Sequence, residues 1–311
     1  MKFSVGLQYE NDRFIDEIIA EKAYVDEVYF SWGDFRSGRG RTTEHGTLLP
    51  WELMQKQEEI LDRLSKEGLS FNLLYNAECY GEDSLARSFF EKIGDTTEYV
   101  RSRFGLKSVT TTSPVIAKFL KANFPGLHVR ASVNMEIGTV EAMDYLKDLF
   151  DSYYMKREYN RDFDRIRILK DWCDANGKQL YILGNSGCMN FCPAHHFHDN
   201  LVAHESEIKK RDNAFVFDGL CHEFFKDPAN REKLLTRLNF VRPEDVALYE
   251  PYFASMKLAT RVSRAPEHIL RSYVSGHYAG NLLELLEPAH SIYPYVLENG
   301  DPVRIVKIAE V

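Results

Sequence analysis

Cys188 and Cys192 sit in the stretch Gly184-Asn185-Ser186-Gly187-Cys188-Met189-Asn190-Phe191-Cys192-Pro193. Its small residues let a backbone approach a bulky centre, and a C-x3-C pair so flanked is poor core sequence. Two thiols at this spacing can hold a soft metal. Cys79 and Cys221 can reach them from separate loops, and four cysteines arriving in this way suit a [4Fe-4S] cluster. Zinc is the competing cofactor, because His195, His196, His198 and His222 offer nitrogen donors close by. Plain buried thiols, the commonest fate of unpaired cysteine, are the alternative to any metal.

Charged groups form a second constellation. The run Trp32-Gly33-Asp34-Phe35-Arg36-Ser37-Gly38-Arg39-Gly40-Arg41 places arginines on a loop suited to capturing carboxylate or phosphate. It matches no P-loop spacing, so a solvated basic loop is the alternative. Arg36 and Arg39, with Lys257 and Arg261 further along, are the candidate contacts to an anionic small molecule or oxygen donor. Arg157, Glu158 and His198, the last beside Asp199, are the candidates for catalysis. The His195-His196-Phe197-His198 run otherwise reads as a polar loop. Nothing points to hydrolysis: there is no G-x-S-x-G turn and no H-E-x-x-H helix, and Cys221-His222 is adjacent without being oriented.

These residues need a scaffold, and short β-rich runs alternating with amphipathic helices supply one. The strands expected are Lys2 to Leu7, Glu27 to Ser31, Ser70 to Asn76, Ser108 to Thr112, His128 to Val133, Ser152 to Met155, Gln179 to Leu183 and Ser255 to Ala259. Eight such units predict an α/β fold, a parallel (β/α)8-type barrel, over residues 1–265. Trp51 to Lys66 should be helical and stop at Gly68. Ser113 should cap a helix opening with Pro114, and Thr139 one that runs through Phe150. Residues 186–240 break the rhythm and read as a Cys-rich insertion over the barrel mouth, with a polar helix around His204 to Arg211. Residues 266–311 read as a helix near Pro266 to Ser275 and a short C-terminal cap. There Gly300-Asp301-Pro302 should turn the chain before Val303 to Ile308.

In such barrels reactive groups gather at the carboxyl ends of the strands. Cys188 and Cys192 follow the strand ending at Leu183, and Cys79 follows the one ending at Asn76. Cys173 instead lies near the end of a helix feeding a strand, toward the opposite face, and reads as a packed thiol. Cys79 is therefore the choice over Cys173 as fourth ligand.

The 311 residues carry 39 Lys and Arg against 47 Asp and Glu, a net charge of −8, which disfavours broad nucleic-acid binding. Five cysteines, an odd number, argue against a disulfide framework. No run is long enough to span a membrane and the start lacks a signal-peptide layout, so a cytoplasmic location is expected.

Several stretches resemble the peptidase U32 superfamily, which includes RNA- and ubiquinone-hydroxylation proteins. They are Asp26-Glu27-Val28-Tyr29-Phe30, Leu127-His128-Val129-Arg130-Ala131-Ser132-Val133-Asn134, Lys156-Arg157-Glu158, Leu180 to Cys188, Arg242-Pro243-Glu244-Asp245-Val246 and Met256-Lys257-Leu258-Ala259-Thr260-Arg261. The likeness spans most of residues 1 to about 262. It implies a barrel with a four-cysteine [4Fe-4S] site and oxygen-independent hydroxylation, with prephenate as oxygen donor in some RNA-modifying members. Here the acidic charge favours a small or lipid-like substrate over RNA. The alternative is a non-catalytic cluster- or zinc-binding subunit of a hetero-oligomer, docking on a homologous protein partner through the aromatic tail from Tyr278 through Tyr295.

Overall fold

The eight β-rich runs form β1 Lys2–Gly6, β2 Val25–Phe30, β3 Ser70–Tyr75, β4 Ser108–Thr111, β5 His128–Ala131, β6 Ser152–Tyr154, β7 Gln179–Leu183 and β8 Ser255–Leu258. Each pairs in parallel with the next, and β8 pairs with β1, so the sheet closes into the expected (β/α)8-type barrel. The computed structural model describes residues 1–41, 47–231, 233–290, 295–297 and 305–307.

Six helices cover the first six crossovers: α1 Asp12–Ala20, α2 Pro50–Lys66, α3 Arg87–Phe104, α4 Pro114–Asn123, α5 Val140–Tyr145 and α6 Phe163–Ala175. The caps read from the sequence are in place. Ser113 Oγ accepts from Ile116 N, and Thr139 Oγ1 accepts from Ala142 N. α5 is shorter than the expected run to Phe150. Leu146 N–H bonds back to Met143 O, and this tightened last turn releases the chain so that Phe150 can bury fully. β5 likewise stops at Ala131 rather than Val133, because Ser132 caps a 3-10 turn at Val133–Met135.

Between β7 and β8 the chain inserts α7 His195–Ala203, α8 Glu205–Ile208, α9 Leu220–Lys226, α10 Pro228–Arg231 and α11 Leu234–Arg237. The histidine run read as a loop therefore opens a helix, and the helix expected around His204 to Arg211 breaks at His204. An imidazole, not an apolar side chain, occupies the buried face at His195, which hides the helical period.

After β8, α12 Pro266–Ser275 packs beside α1. Tyr273 meets Phe3 edge-on at 5.9 Å, and Arg271 pairs with Glu17. The chain then returns toward the end of β7. Tyr278, first aromatic of the expected docking tail, is fully buried, and its hydroxyl donates to Asn281 O at 2.9 Å. β9 Tyr295–Leu297 and β10 Ile305–Lys307 pair antiparallel, and the turn expected at Gly300-Asp301-Pro302 lies outside the described residues. No described helix is long and apolar enough to cross a membrane.

The main apolar core lies between sheet and helices, whereas the inside of the barrel is polar. Ser4, Glu27, Asn72, Ser108, Arg130, Ser152 and Ser255 are all at most 6% exposed. Arg130 grips Glu27 with Nη1 and Nη2, and Ser4 and Ser108 hydroxyls donate to the same carboxylate at 3.2 and 3.1 Å. The guanidinium lies 3.9 Å from the Tyr181 ring centre, a stacking partner that also keeps water away. Burial pushes the Glu27 carboxyl up, but Arg130 and the hydroxyls outweigh it and hold it below its ordinary 4.5.

Removing one partner strands a buried charge, so Arg130→Ala should cost about 3–5 kcal/mol in chemical denaturation. Because the folded pKa of Glu27 is depressed, its contribution should be complete above about pH 4.5 and fade as pH falls through the folded value. A loss in Arg130→Ala below about 1 kcal/mol, the worth of a solvated pair, would show that water reaches the barrel interior.

Candidate metal and anion site at the barrel mouth

The loop leaving β7 is held on both sides by backbone. Val241 N donates to Gly184 O at 2.7 Å, Asn239 N to Cys188 O at 3.1 Å and Asn190 N to Arg237 O at 2.6 Å. On the other side Glu287 N donates to Asn185 O, and Gly187 N to Glu287 O, both at 2.9 Å. Asn185, fully buried, adds bonds to Ala259 and Leu285. Contact is close enough at Gly187 that a Cβ would lie 2.1 Å from Pro288 O, so only glycine fits. Phe191, at φ 55°, adopts the left-handed conformation that costs a bulky residue about 1–2 kcal/mol, and it turns the loop between Cys188 and Cys192.

Cys188 is surrounded by cations. Arg157 Nη1 donates to its Sγ at 3.3 Å, and His195 lies within hydrogen-bonding reach. Burial raises the thiol, but Arg157 and His195 outweigh it and the net shift is downward, toward thiolate. His195 is itself gripped by Glu136 at Nδ1 and stands 3.4 Å from Asp199 at Nε2. Burial lowers the ring, while Cys188 and Glu136 raise it, to about 9. Glu158, buried, lies 3.9 Å from the same Nδ1.

Cys192 and Cys221 share this region. Burial raises Cys221 to about 11, and the charges of Cys188 and Cys192 push it further in the same direction. Burial likewise raises Cys192, with Cys188 contributing. His198 Cε1 and Cys221 Sγ both crowd Gly219, and burial depresses the His198 ring. Cys221 Sγ and ring nitrogens of His222 and His290 lie within 4.8 Å of one another. Burial lowers His290 to about 4, so that ring is neutral.

Cations extend from the thiols into the barrel. A small cavity of about 80 Å³ is lined by Cys188, His195, His198, Asp199, Arg157, Arg39, Lys257 and Arg261. A larger cleft of about 520 Å³, with Leu7, Tyr9, Leu48 and Leu53 in its wall, shares Arg39, Arg261 and Val262 with it. Lys257 Nζ sits 4.2 Å from the Tyr29 ring centre and is only 7% exposed. Burial, and then Arg261, lower it to about 7. Arg39 pairs with Glu287 at 2.9 Å, and Arg261 donates to Ser37 Oγ at 2.9 Å.

Cys188, Cys192, Cys221, Arg157, Glu158, His198, Arg39, Lys257 and Arg261 thus come together. Arg36 does not join them: it pairs with Glu207, contacts His204 at 3.3 Å and lines a separate cleft of about 230 Å³. Cys79 reaches α7 through its neighbour Glu78, which meets His196 at 3.0 Å, but its own Sγ accepts from Gly81 N. Cys173 is buried in α6, and burial raises its thiol to about 12. His195, Glu136 and His290 carried no sequence signal as a set. His195 alone stood in the flagged histidine run.

No family model and no curated protein matches this chain. Among solved structures it is similar to a U32 peptidase, with TM-score 0.56 and 16% identity, over 83% of this chain and 91% of that one. A conserved protein of unknown function from Enterococcus faecalis follows with TM-score 0.44 and 10% identity, covering 90% and 68%. A GH113 beta-1,4-mannanase has TM-score 0.42 and 11% identity, covering 82% and 86%. At these identities the likeness is one of fold.

If Arg157 and His195 set the state of Cys188, replacing either should raise its thiol pKa. Alkylation of metal-free Arg157→Met and His195→Gln, followed against pH by mass spectrometry of the Cys188 peptide, should shift its midpoint upward. Unchanged midpoints would remove both residues from the control of this thiol.

Proposed function

We propose that this chain is a U32-like barrel enzyme performing oxygen-independent redox chemistry on a small anionic substrate beside a cysteine-held iron-sulfur centre. The observation that carries the reading is that Cys188 lines the same cavity as Arg39, Lys257 and Arg261, so a thiol centre and an anion site are neighbours.

The donor set fits such a group. Cys188, Cys192 and Cys221 would hold it, with imidazoles beside them. Thiolate repulsion among the three, together with Arg157 as counter-charge, is the electrostatic pattern expected where a metal later neutralises thiolates. When bound, an iron-sulfur cluster supplies single-electron chemistry. The resemblance to hydroxylating proteins suggests the net reaction, in which a substrate C–H becomes C–OH and an oxygen-bearing donor is reduced by loss of that oxygen.

The protein's own part follows from its charges. Lys257, Arg39 and Arg261 would hold a carboxylate in the small cavity, which has room for little more than such a group. The apolar wall of the larger cleft suits the body of the substrate. Arg157 favours the thiolate of Cys188 against the effect of its burial. His195, bridging Cys188 and Glu136, can hold or release a proton at its ring nitrogens, and Glu158 and His198 stand next to it.

A second reading rests on one specific arrangement. Cys188, His195 and Glu136 stand in the order nucleophile, base and orienting carboxylate, the pattern of a thiol hydrolase.

Anaerobic reconstitution followed by iron and sulfide analysis separates the two. Iron and sulfide should bind the wild type and Cys173→Ala, and be lost from Cys188→Ala, Cys192→Ala and Cys221→Ala. Stoichiometric zinc without iron, or thiol-dependent cleavage of ester or peptide substrates by metal-free protein, would overturn the redox reading.

The anion site has its own test. Lys257 is charged only below about pH 7 in the free site. Calorimetric affinity for a small dicarboxylate should therefore fall as pH rises through that value. Lys257→Met should bind at least about tenfold more weakly, the equivalent of about 1.4 kcal/mol, with a flatter pH profile. Equal affinity in the variant would place the anion elsewhere.

A further inference from the structure

We propose that the metal centre takes a nitrogen ligand, His290 Nδ1, where a fourth thiol is expected. The inference rests on the metal-centre reading above and adds a residue that lies some hundred positions from the cysteine loop.

His290 is 2% exposed, and its two ring nitrogens have opposite surroundings. Nε2 lies 2.6 Å from Gly187 O, and a carbonyl can only accept, so Nε2 carries the hydrogen and donates. Nδ1 is then left with a lone pair. It is buried without a hydrogen-bond partner among the described residues. A buried acceptor with nothing to accept from has lost its hydration without compensation, and a bound cation would restore it. A ring nitrogen fixed by a backbone carbonyl, with the other nitrogen bare, is the arrangement of a metal-ligating histidine.

The surroundings supply the rest of a soft-metal site. Cys221 Sγ and a ring nitrogen each of His222 and His290 lie within 4.8 Å of one another. The His222 and His290 rings stand perpendicular with centroids 5.1 Å apart, and Phe225 packs edge-on against His290 at 5.7 Å, fixing its plane. Gly187, the residue that orients His290, directly precedes Cys188 in the clamped loop. The loop presenting Cys188 therefore also presents His290. Cys79, the thiol expected in the fourth place, instead has its Sγ engaged by Gly81 N at 3.2 Å.

Pulsed EPR on the reduced, anaerobically reconstituted protein, with and without ¹⁵N-histidine labelling, reads the ligand directly. Cobalt(II) titration of metal-free protein provides a second probe that needs no cluster. A histidine hyperfine coupling is expected in the wild type and in Cys79→Ala, and should be absent from His290→Gln. Gln is the informative replacement because its amide can still donate to Gly187 O while offering no imine nitrogen. Cobalt should bind His290→Gln and Cys221→Ala at least about tenfold more weakly than wild type, following the sensitivity of such sites to ligand loss.

A bound iron centre without histidine coupling, or one lost in Cys79→Ala and intact in His290→Gln, overturns the nitrogen ligand and leaves the iron-sulfur reading standing. Cobalt binding that depends on His290, in a protein that takes up no iron, does the reverse. A wild type that binds neither metal ends both. The labelled wild type decides whether a histidine is bound even if His290→Gln does not fold.

Discussion

Arg157 and Lys257 are buried and Arg261 and Arg39 half-buried around one cavity, and charge taken out of water must be neutralised or given up. The structure shows each response. Arg39 takes Glu287, Arg157 takes the thiol of Cys188, and Lys257, with aromatic faces around it, drops to about 7. The Cys188 thiol is depressed by Arg157 and His195 against its own burial, and the lysine is depressed first by burial and then by Arg261. An anionic ligand and a metal held by thiolates are the two kinds of occupant proposed for this excess of positive charge.

That excess stays in place because the barrel interior beneath it is already balanced. Glu27 and Arg130 satisfy each other and are satisfied by the serines of β1, β4 and β6. Lys257, on β8, makes no ion pair with a carboxylate among the described residues and feels Glu27 only from a distance. The clamp above is equally local in its logic. Segments 237–241 and 285–288 sandwich the loop after β7, so the thiols are held by backbone hydrogen bonds rather than by long flexible side chains, which fixes their positions.

Much of this was legible from residue order alone. Alternation of β-rich and amphipathic runs located all eight strands, because a parallel barrel strand buries both faces and leaves a short apolar signal. Cys188, Cys192 and Arg157 were flagged by their place after strands, which is where such barrels put their chemistry, and Lys257 by its place in the last strand. Position after a strand does not say which way a side chain turns, and so Arg36 and Arg39, three residues apart, end in different clefts. Glu27 and Arg130 looked like ordinary strand polars, since their meeting depends on barrel closure. His290 gave no signal because its orienting partner is a backbone carbonyl 103 residues away, a contact that carries no residue preference. His195 was flagged only as a nitrogen donor, and its helix and its contact with Glu136 were hidden because the run resembled a polar loop.

The most direct measurement is anomalous diffraction at the iron and zinc edges from crystals grown and kept without oxygen. A centre held by Cys188, Cys192 and Cys221 predicts iron density among those three sulfurs, with the Lys257 cavity opening beside it. Zinc density alone, iron placed at Glu136 and Glu158, or thiols that remain free in protein reconstituted with iron and sulfide would contradict it.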